Sequence, residues 1–464
     1  MAPVACTTQT QQHPPLEAGP PEMTVPHHTT RTRWVSGVFW TMIAFGAGQG
    51  SSFFSAILAA RLLGRETYGK LAMIQSVVLT LTGLAGLGLG TTATKFVSEL
   101  RSRDPERVGR ILGLCSVLTA LTGAALASGL FLLAPWIASE LLKAADLGGP
   151  LRIVALSVLF LTLNGYQVGA INGFEAFSRL AWISGVQGPV VIVLTVGLTW
   201  AMGLHGAVWA GACAAASAWA LHQYHLRGQC AQHAIRITYR GLAKEAPVLL
   251  RFATPAALSD CTAGLAIAGA HGLLVRTVGG FLEMAVFNAA NTIRLLVLTV
   301  PRILTRVARP LLCNLRVAAD ERAYRRAFWR YVGSTTATAA GMAVVCLLGG
   351  PYLLAIFGKG FEGGRAVLAV VLLSAVLETL GASLAQTAFG RGRMWTHLAI
   401  TLGWAATLLG GTWCGAGFGG AMGLAAAYLA AWTSVALLHA LLTRRLLRQP
   451  PDPQPPIEMP DATG

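Results

Sequence analysis

Charge is scarce in this chain. Asp, Glu, Lys and Arg together make up 12% of its 464 residues, against 54% hydrophobic residues and a mean hydropathy of +0.59. So few charges cannot cover the surface of a water-soluble protein of this length, which places the chain in a bilayer. Lysine supplies only five of the 35 basic residues, and this arginine bias, with the abundance of Ala and Gly, points to a GC-rich bacterial genome. No stretch between apolar runs is long enough for a soluble catalytic domain. Nucleophile elbows, paired carboxylates and metal-binding helices are all missing. Cys6, Cys115, Cys213, Cys230, Cys261, Cys313, Cys346 and Cys414 show no metal-ligand spacing and read as packing residues. We therefore expect no metal, no cofactor and no enzymatic activity.

What the chain does have is apolar runs long enough to cross a membrane, for which roughly 20 residues suffice. Twelve occur, near 35–60, 70–94, 111–134, 151–173, 181–201, 204–226, 250–275, 284–309, 328–350, 366–390, 395–415 and 418–443. The first is too long for a signal-peptide core and is expected to remain in the mature protein. Residues 1–33 and 446–464 read as disordered tails rich in Pro and polar residues. Between them we place an N-terminal six-helix lobe at 34–227, a linker at 228–247 and a C-terminal six-helix lobe at 248–445.

The second set of six runs repeats the first. Gly203-Leu204-His205-Gly206-Ala207 matches Gly417-Phe418-Gly419-Gly420-Ala421 at an offset of 417 − 203 = 214. Arg61 and Gly64 likewise match Arg276 and Gly279, and Ala170-Ile171-Asn172-Gly173 matches Thr387-Ala388-Phe389-Gly390. Repeats of this kind commonly enclose a substrate path at their interface, opened to each side in turn by rocking. The expected fold is an all-α polytopic membrane protein of 12 transmembrane helices, in two pseudo-symmetric lobes around a central cavity.

Net charge of +16 invites a nucleic-acid reading, which its placement opposes. With the N-terminus inside, 26 of the 35 basic residues fall on one face, eight on the other, and Arg294 lies within a span. The positive-inside rule then puts both termini in the cytoplasm, as an even number of spans requires. Two nucleotide-binding signatures also fail on context. Gly64-Arg65-Glu66-Thr67-Tyr68-Gly69-Lys70 is followed by Leu71 where a magnesium-binding hydroxyl belongs, and no strand precedes it. Gly415-Ala416-Gly417-Phe418-Gly419-Gly420 has no βαβ unit around it, so its glycines serve turns and close packing.

Polar residues inside the spans carry the functional signal. At 100° per residue, Arg294, Thr305, Asn291, Arg309, Arg302, Asn288, Arg306, Thr299 and Thr292 of span 8 fall within an arc of about 160°. Such a basic stripe is costly unless it faces protein or a water-filled cavity, although Arg302, Arg306 and Arg309 could instead snorkel to the interface. Asp260 and Glu378 are the other deep charges. Each could be a structural counter-ion or a coupling site, and Asp260 could pair with Arg294. His271 reads as a packing histidine. In span 2, Gln75, Ser76, Thr80, Thr91 and Thr94 share one side, with Lys95 at its margin, which suits either a sugar path or ordinary helix packing.

Several segments together resemble a known family. They are Ala60-Arg61-Leu62-Leu63-Gly64-Arg65-Glu66-Thr67-Tyr68-Gly69, the span ending Gly86-Leu87-Gly88-Leu89-Gly90-Thr91-Thr92-Ala93-Thr94-Lys95, the loop Leu353-Leu354-Ala355-Ile356-Phe357-Gly358-Lys359-Gly360-Phe361, and Pro310 closing span 8. In this order and spacing they resemble bacterial oligosaccharide flippases of the polysaccharide-transporter family, over roughly residues 34 to 445. The resemblance implies two lobes in a V around a cavity lined by spans 1, 2, 7 and 8. It implies as substrate an undecaprenyl-diphosphate-linked repeat unit, turned from the cytoplasmic to the periplasmic leaflet of the inner membrane. Membrane lipids, a polysaccharide polymerase and export machinery would be the partners. Arg294, Asn291, Arg302, Asn288, Arg306 and Lys95 are then the candidate substrate-binding residues. Twelve spans rather than 14 argue against a peptidoglycan-precursor flippase. A multidrug exporter of the same superfamily, a membrane-embedded polymerase or ligase, and a scaffold for a synthesis complex remain open.

Overall fold

Helices account for almost all of the computed structural model, which describes residues 27–242, 245–277, 279–317, 321–358, 360–390 and 393–448, with no strand among them. Their order is α1 (His27–Gly86), α2 (Leu89–Leu100), α3 (Pro105–Trp136), α4 (Gly148–Gly173), α5 (Phe177–Gln232), α6 (Ala246–Val275), α7 (Gly280–Val317), α8 (Glu321–Leu348), α9 (Gly350–Phe357), α10 (Arg365–Gly390) and α11 (Met394–Arg448). Helix α1 begins at His27, inside the stretch expected to be tail.

Among the described residues, ten helical stretches are long and apolar enough to cross a membrane. Two of them, Gly46–Gly86 and Phe177–Gln232, are double. Gly64 (φ 74°, ψ 172°) breaks α1 and Gly203 (φ 58°, ψ −131°) breaks α5, so each crosses twice and the total is 10 + 2 = 12. Gly420 (φ 51°, ψ −125°) breaks α11 in the same way. A side chain resists these positive-φ conformations, which is why the span junctions hold glycine. The chain is thus a multi-pass membrane protein of two six-span lobes, α1–α5 and α6–α11.

Geometry sharpens the repeat. Gly64 and Gly279 have φ of 74° and 73°, at an offset of 279 − 64 = 215. Gly203 corresponds in conformation to Gly420, not to the expected Gly417, so the offset there is 420 − 203 = 217. The same 217 relates α4 to α10 at both ends, since 148 + 217 = 365 and 173 + 217 = 390. It also relates the short turn Ala145–Leu147 to Glu362–Gly364.

The lobes meet at one end. There α1 packs on α6 and α7, and Gly69 lies against the carbonyl of Phe281. Tyr68, 1% exposed, packs on Phe357 and Phe361 with ring centroids 6.4 and 6.1 Å away. Arg61 Nε donates to Ile356 O at 2.6 Å, and Arg65 lies 3.8 Å from Glu283. Farther along, Thr80 Oγ1 donates to Gly264 O at 2.8 Å. One buried apolar cluster runs through both lobes here. At the other end the clusters are separate: Phe96, Leu112, Phe174 and Leu226 in one lobe, Tyr324, Phe328 and Leu384 in the other. The molecule is joined at the end carrying residues 61–71 and divided toward the end carrying its charged loops.

At that divided end the linker packs on α3. Residues 235–239, outside any helix, lie along α3, where Thr238 N donates to Gly109 O at 3.2 Å. Glu245 anchors it through Arg107 at 3.1 Å and Arg110 at 3.6 Å.

Candidate functional site

The polar stripe on α7 divides into two parts. Toward the joined end, Asn288, Asn291 and Thr292 face a cavity of about 370 Å³ between the lobes, whose other walls come from α1 and α5. Asn288 Nδ2 donates to the Tyr68 hydroxyl at 3.0 Å, tying α7 to the opposite lobe. One turn farther, Arg294 is 7% exposed, too deep for its guanidinium to reach water by snorkelling.

Arg294 is held on three sides. Its Nη1 donates to Asn291 Oδ1 at 2.8 Å, its Nη2 donates to Glu378 Oε2, and its guanidinium lies 5.7 Å from the centre of the Tyr428 ring. Glu378, 9% exposed on α10, also accepts from Arg302 Nη2 at 3.3 Å through its other oxygen. One carboxylate thus serves two guanidinium groups and leaves the cluster with a formal excess of one positive charge. Behind it the Tyr428 hydroxyl meets His271 Nε2 at 3.4 Å, and His271 sits edge-on to Phe287. His271 is a packing residue, as its sequence context suggests.

Burying such a cluster is costly, and the pairing is what makes it tolerable. Arg302, whose side chain is 47% exposed, extends the cluster toward the divided end. Arg294 Nε has no partner among the described residues. The guanidinium pair therefore offers donors beyond those that Glu378 occupies, in the planar arrangement that suits carboxylate or phosphate oxygens.

The other candidate residues fall elsewhere. Asp260 is not the partner of Arg294. It is exposed on α6, one turn from the Thr80–Gly264 contact, and pairs with no described residue. Lys95 is on α2 with its ammonium 5.5 Å from the Phe96 ring, outside the Arg294 cluster. Arg306 continues α7, but its side chain lies outside the described residues. Of the polar residues of span 2, Ser76 and Thr94 bond to backbone carbonyls and Thr80 joins the lobes, which is helix packing, while Gln75 lines the cavity. The phosphate-loop letters at 64–70 supply the helix break at Gly64 and the close approach at Gly69. Tyr428 and the sharing of Glu378 escaped sequence reasoning.

Comparison with known proteins agrees with this architecture. Residues 34–315 match the polysaccharide biosynthesis protein family. No curated protein sequence matches the chain. Among solved structures, an inward-facing multidrug resistance MATE family transporter of the MOP superfamily is similar at a TM-score of 0.75 and 16% identity, over 86% of this chain and 94% of that one. The outward-facing conformation of such a transporter gives 0.67 at 17% identity, over 90% and 96%. A MOP superfamily transporter from Pyrococcus furiosus, described as having a binding pocket of reversed polarity, also gives 0.67 at 17%, over 90% and 97%. These likenesses establish the fold. Since the matched residues 34–315 are well over half of the 464, the chain belongs to the polysaccharide biosynthesis protein family, with the fold of MOP superfamily transporters.

Proposed function

We propose that the protein is a flippase, not an enzyme, that moves undecaprenyl-diphosphate-linked oligosaccharide units from the cytoplasmic to the periplasmic leaflet of the bacterial inner membrane. The observation that carries this reading is the excess positive charge of the Arg294–Glu378–Arg302 cluster, set beside a cavity between two lobes. A diphosphate leaving the headgroup region needs cationic neutralisation, and a guanidinium pair supplies it with bidentate geometry. The polyprenyl tail stays in lipid between the lobes, and the glycan passes to a polymerase and export machinery. Deleting the gene is expected to stop polymer output while lipid-linked units accumulate on the inner leaflet. A mutant without those units would place the protein upstream as an enzyme.

The multidrug-exporter reading rests on the likeness to MATE transporters. A cationic drug would need a free anion, and the buried carboxylate of Glu378 is shared by two arginines. Altered drug sensitivity with normal polymer in the deletion strain would favour that reading.

Orientation follows from charge: the divided end, with its arginine-rich loops, faces the cytoplasm. An Asp320→Cys variant is therefore expected to resist a membrane-impermeant thiol reagent in intact cells. Labelling at that position would invert the topology.

A further inference from the structure

The described lining of the cavity beside Arg294 carries no charge of its own. Among the described residues its polar lining includes Gln49, Ser52, Ser55 and Gln75 from α1, Thr195 from α5 and the asparagines of α7, with no Asp, Glu, Lys, Arg or His. Ser55 is 8% exposed and its hydroxyl is unbonded among the described residues. Phe53 and Leu295 add apolar walls. Amides and hydroxyls that both donate and accept match the hydroxyls of a sugar, which do the same. Unused groups of this kind inside a membrane protein are costly unless a ligand or water completes them.

We propose that this cavity seats an uncharged sugar at the head of the transported glycan, with the diphosphate behind it at Arg294 and Arg302. The assignment rests on the flippase reading above and adds the substrate's charge class and its order along the path. Asn291 fixes that order, because it lines the cavity and also accepts from Arg294, so sugar and phosphate sites share a wall. The glycan points toward the joined end and the phosphate toward the divided end. A volume of about 370 Å³ is near the lower limit of small-molecule sites, so a short neutral segment fills it. A uronate there would meet no counter-charge, and the penalty for an unpaired intramembrane charge corresponds to a discrimination on the order of a hundredfold.

The test uses the full-length protein in proteoliposomes and two probes: undecaprenyl diphosphate carrying a neutral hexose disaccharide, and the same carrier with the terminal hexose replaced by glucuronate. Transfer between leaflets is read by an impermeant glycan-modifying enzyme. The neutral carrier is expected to cross about a hundredfold faster. Gln75→Lys, which places a cation in the cavity wall, is expected to bring the glucuronate carrier to within about tenfold of the neutral one. Equal rates for the two carriers with the unaltered protein, or a Gln75→Lys protein that crosses the neutral carrier normally and gains nothing on glucuronate, overturn the cavity assignment and leave the flippase reading standing. Failure of both carriers to cross with well-folded protein overturns both.

Discussion

Arg294→Ala is expected to abolish polymer export while leaving a protein that still inserts and folds. The asymmetry of the ion cluster explains why. Without Arg294, Glu378 keeps Arg302 at 3.3 Å, so no carboxylate is stranded. Glu378→Ala is the harsher change, because it strands two guanidinium groups, one of them deeply buried. Removing one partner of a buried pair costs about 3 to 5 kcal/mol, so that variant should melt far earlier in detergent. The double variant Arg294→Ala/Glu378→Ala should regain most of the lost thermal stability and none of the export. Arg294→Lys keeps the charge but cannot reach Asn291 and Glu378 in one plane, so partial export is expected. Export and melting temperature in these variants separate the roles. Full export from a well-expressed Arg294→Ala protein would exclude Arg294 from the substrate path, and export restored by exchanging the two charges would make the pair purely structural.

Gly69→Val is expected to force the joined end apart. A Cβ at Gly69 would lie 1.8 Å from the Phe281 carbonyl oxygen, and that neighbour is backbone, which cannot swing aside. Ordinary overpacking costs about 1 to 3 kcal/mol, and a backbone collision of this depth is relieved most cheaply by moving one lobe. The variant should therefore populate a state opened at the joined end. Spin labels at Leu62→Cys and Tyr352→Cys, exposed positions on the two lobes beside the Arg61–Ile356 contact, would report a longer distance. Export should fall because the return to the joined state is blocked. Gly264→Ala is a milder control, since its Cβ would sit 3.2 Å from Thr80 Cα. An unchanged distance in Gly69→Val, with normal export, would mean that the lobes do not part where Gly69 meets Phe281.

Much of this architecture was legible in the sequence for physical reasons. Twelve crossings follow from hydropathy, and the breaks at Gly64 and Gly279 were legible because positive φ all but requires glycine. The same logic blurred the last junction. Residues 415–420 contain four glycines, and letters alone cannot say which one turns the chain, so the repeat slipped from Gly420 to Gly417. The depth of Arg294 was legible from its place in span 8, but its partner was not. Asp260 and Glu378 are both lone carboxylates in apolar helices, and only the packing of α7 beside α10 decides between them. Tyr428 was hidden for a similar reason: one tyrosine in an apolar span reads as packing until a guanidinium is found over its ring.

The described members of the Arg294 cluster, Asn291, Arg294, Arg302, Glu378, Tyr428 and His271, all belong to the C-terminal six spans. What holds the lobes together is mainly neutral, Tyr68 on Phe357, Thr80 on Gly264 and Asn288 on Tyr68, to which Arg61 on Ile356 O and the partly exposed Arg65–Glu283 pair add charged contacts at the joined end. When one lobe turns on the other, the arginines of the cluster therefore travel as a prepaid charge inside a rigid body, and no buried ion pair has to be broken along the way. The buried electrostatic energy of the empty carrier stays nearly level through the swing, so the barrier to reorientation is set by apolar contacts, a few hydrogen bonds and the partly exposed Arg65–Glu283 pair. A carrier built in this way should reset at a rate that responds only weakly to ionic strength, through the partly exposed Arg65–Glu283 pair and not through the Arg294 cluster.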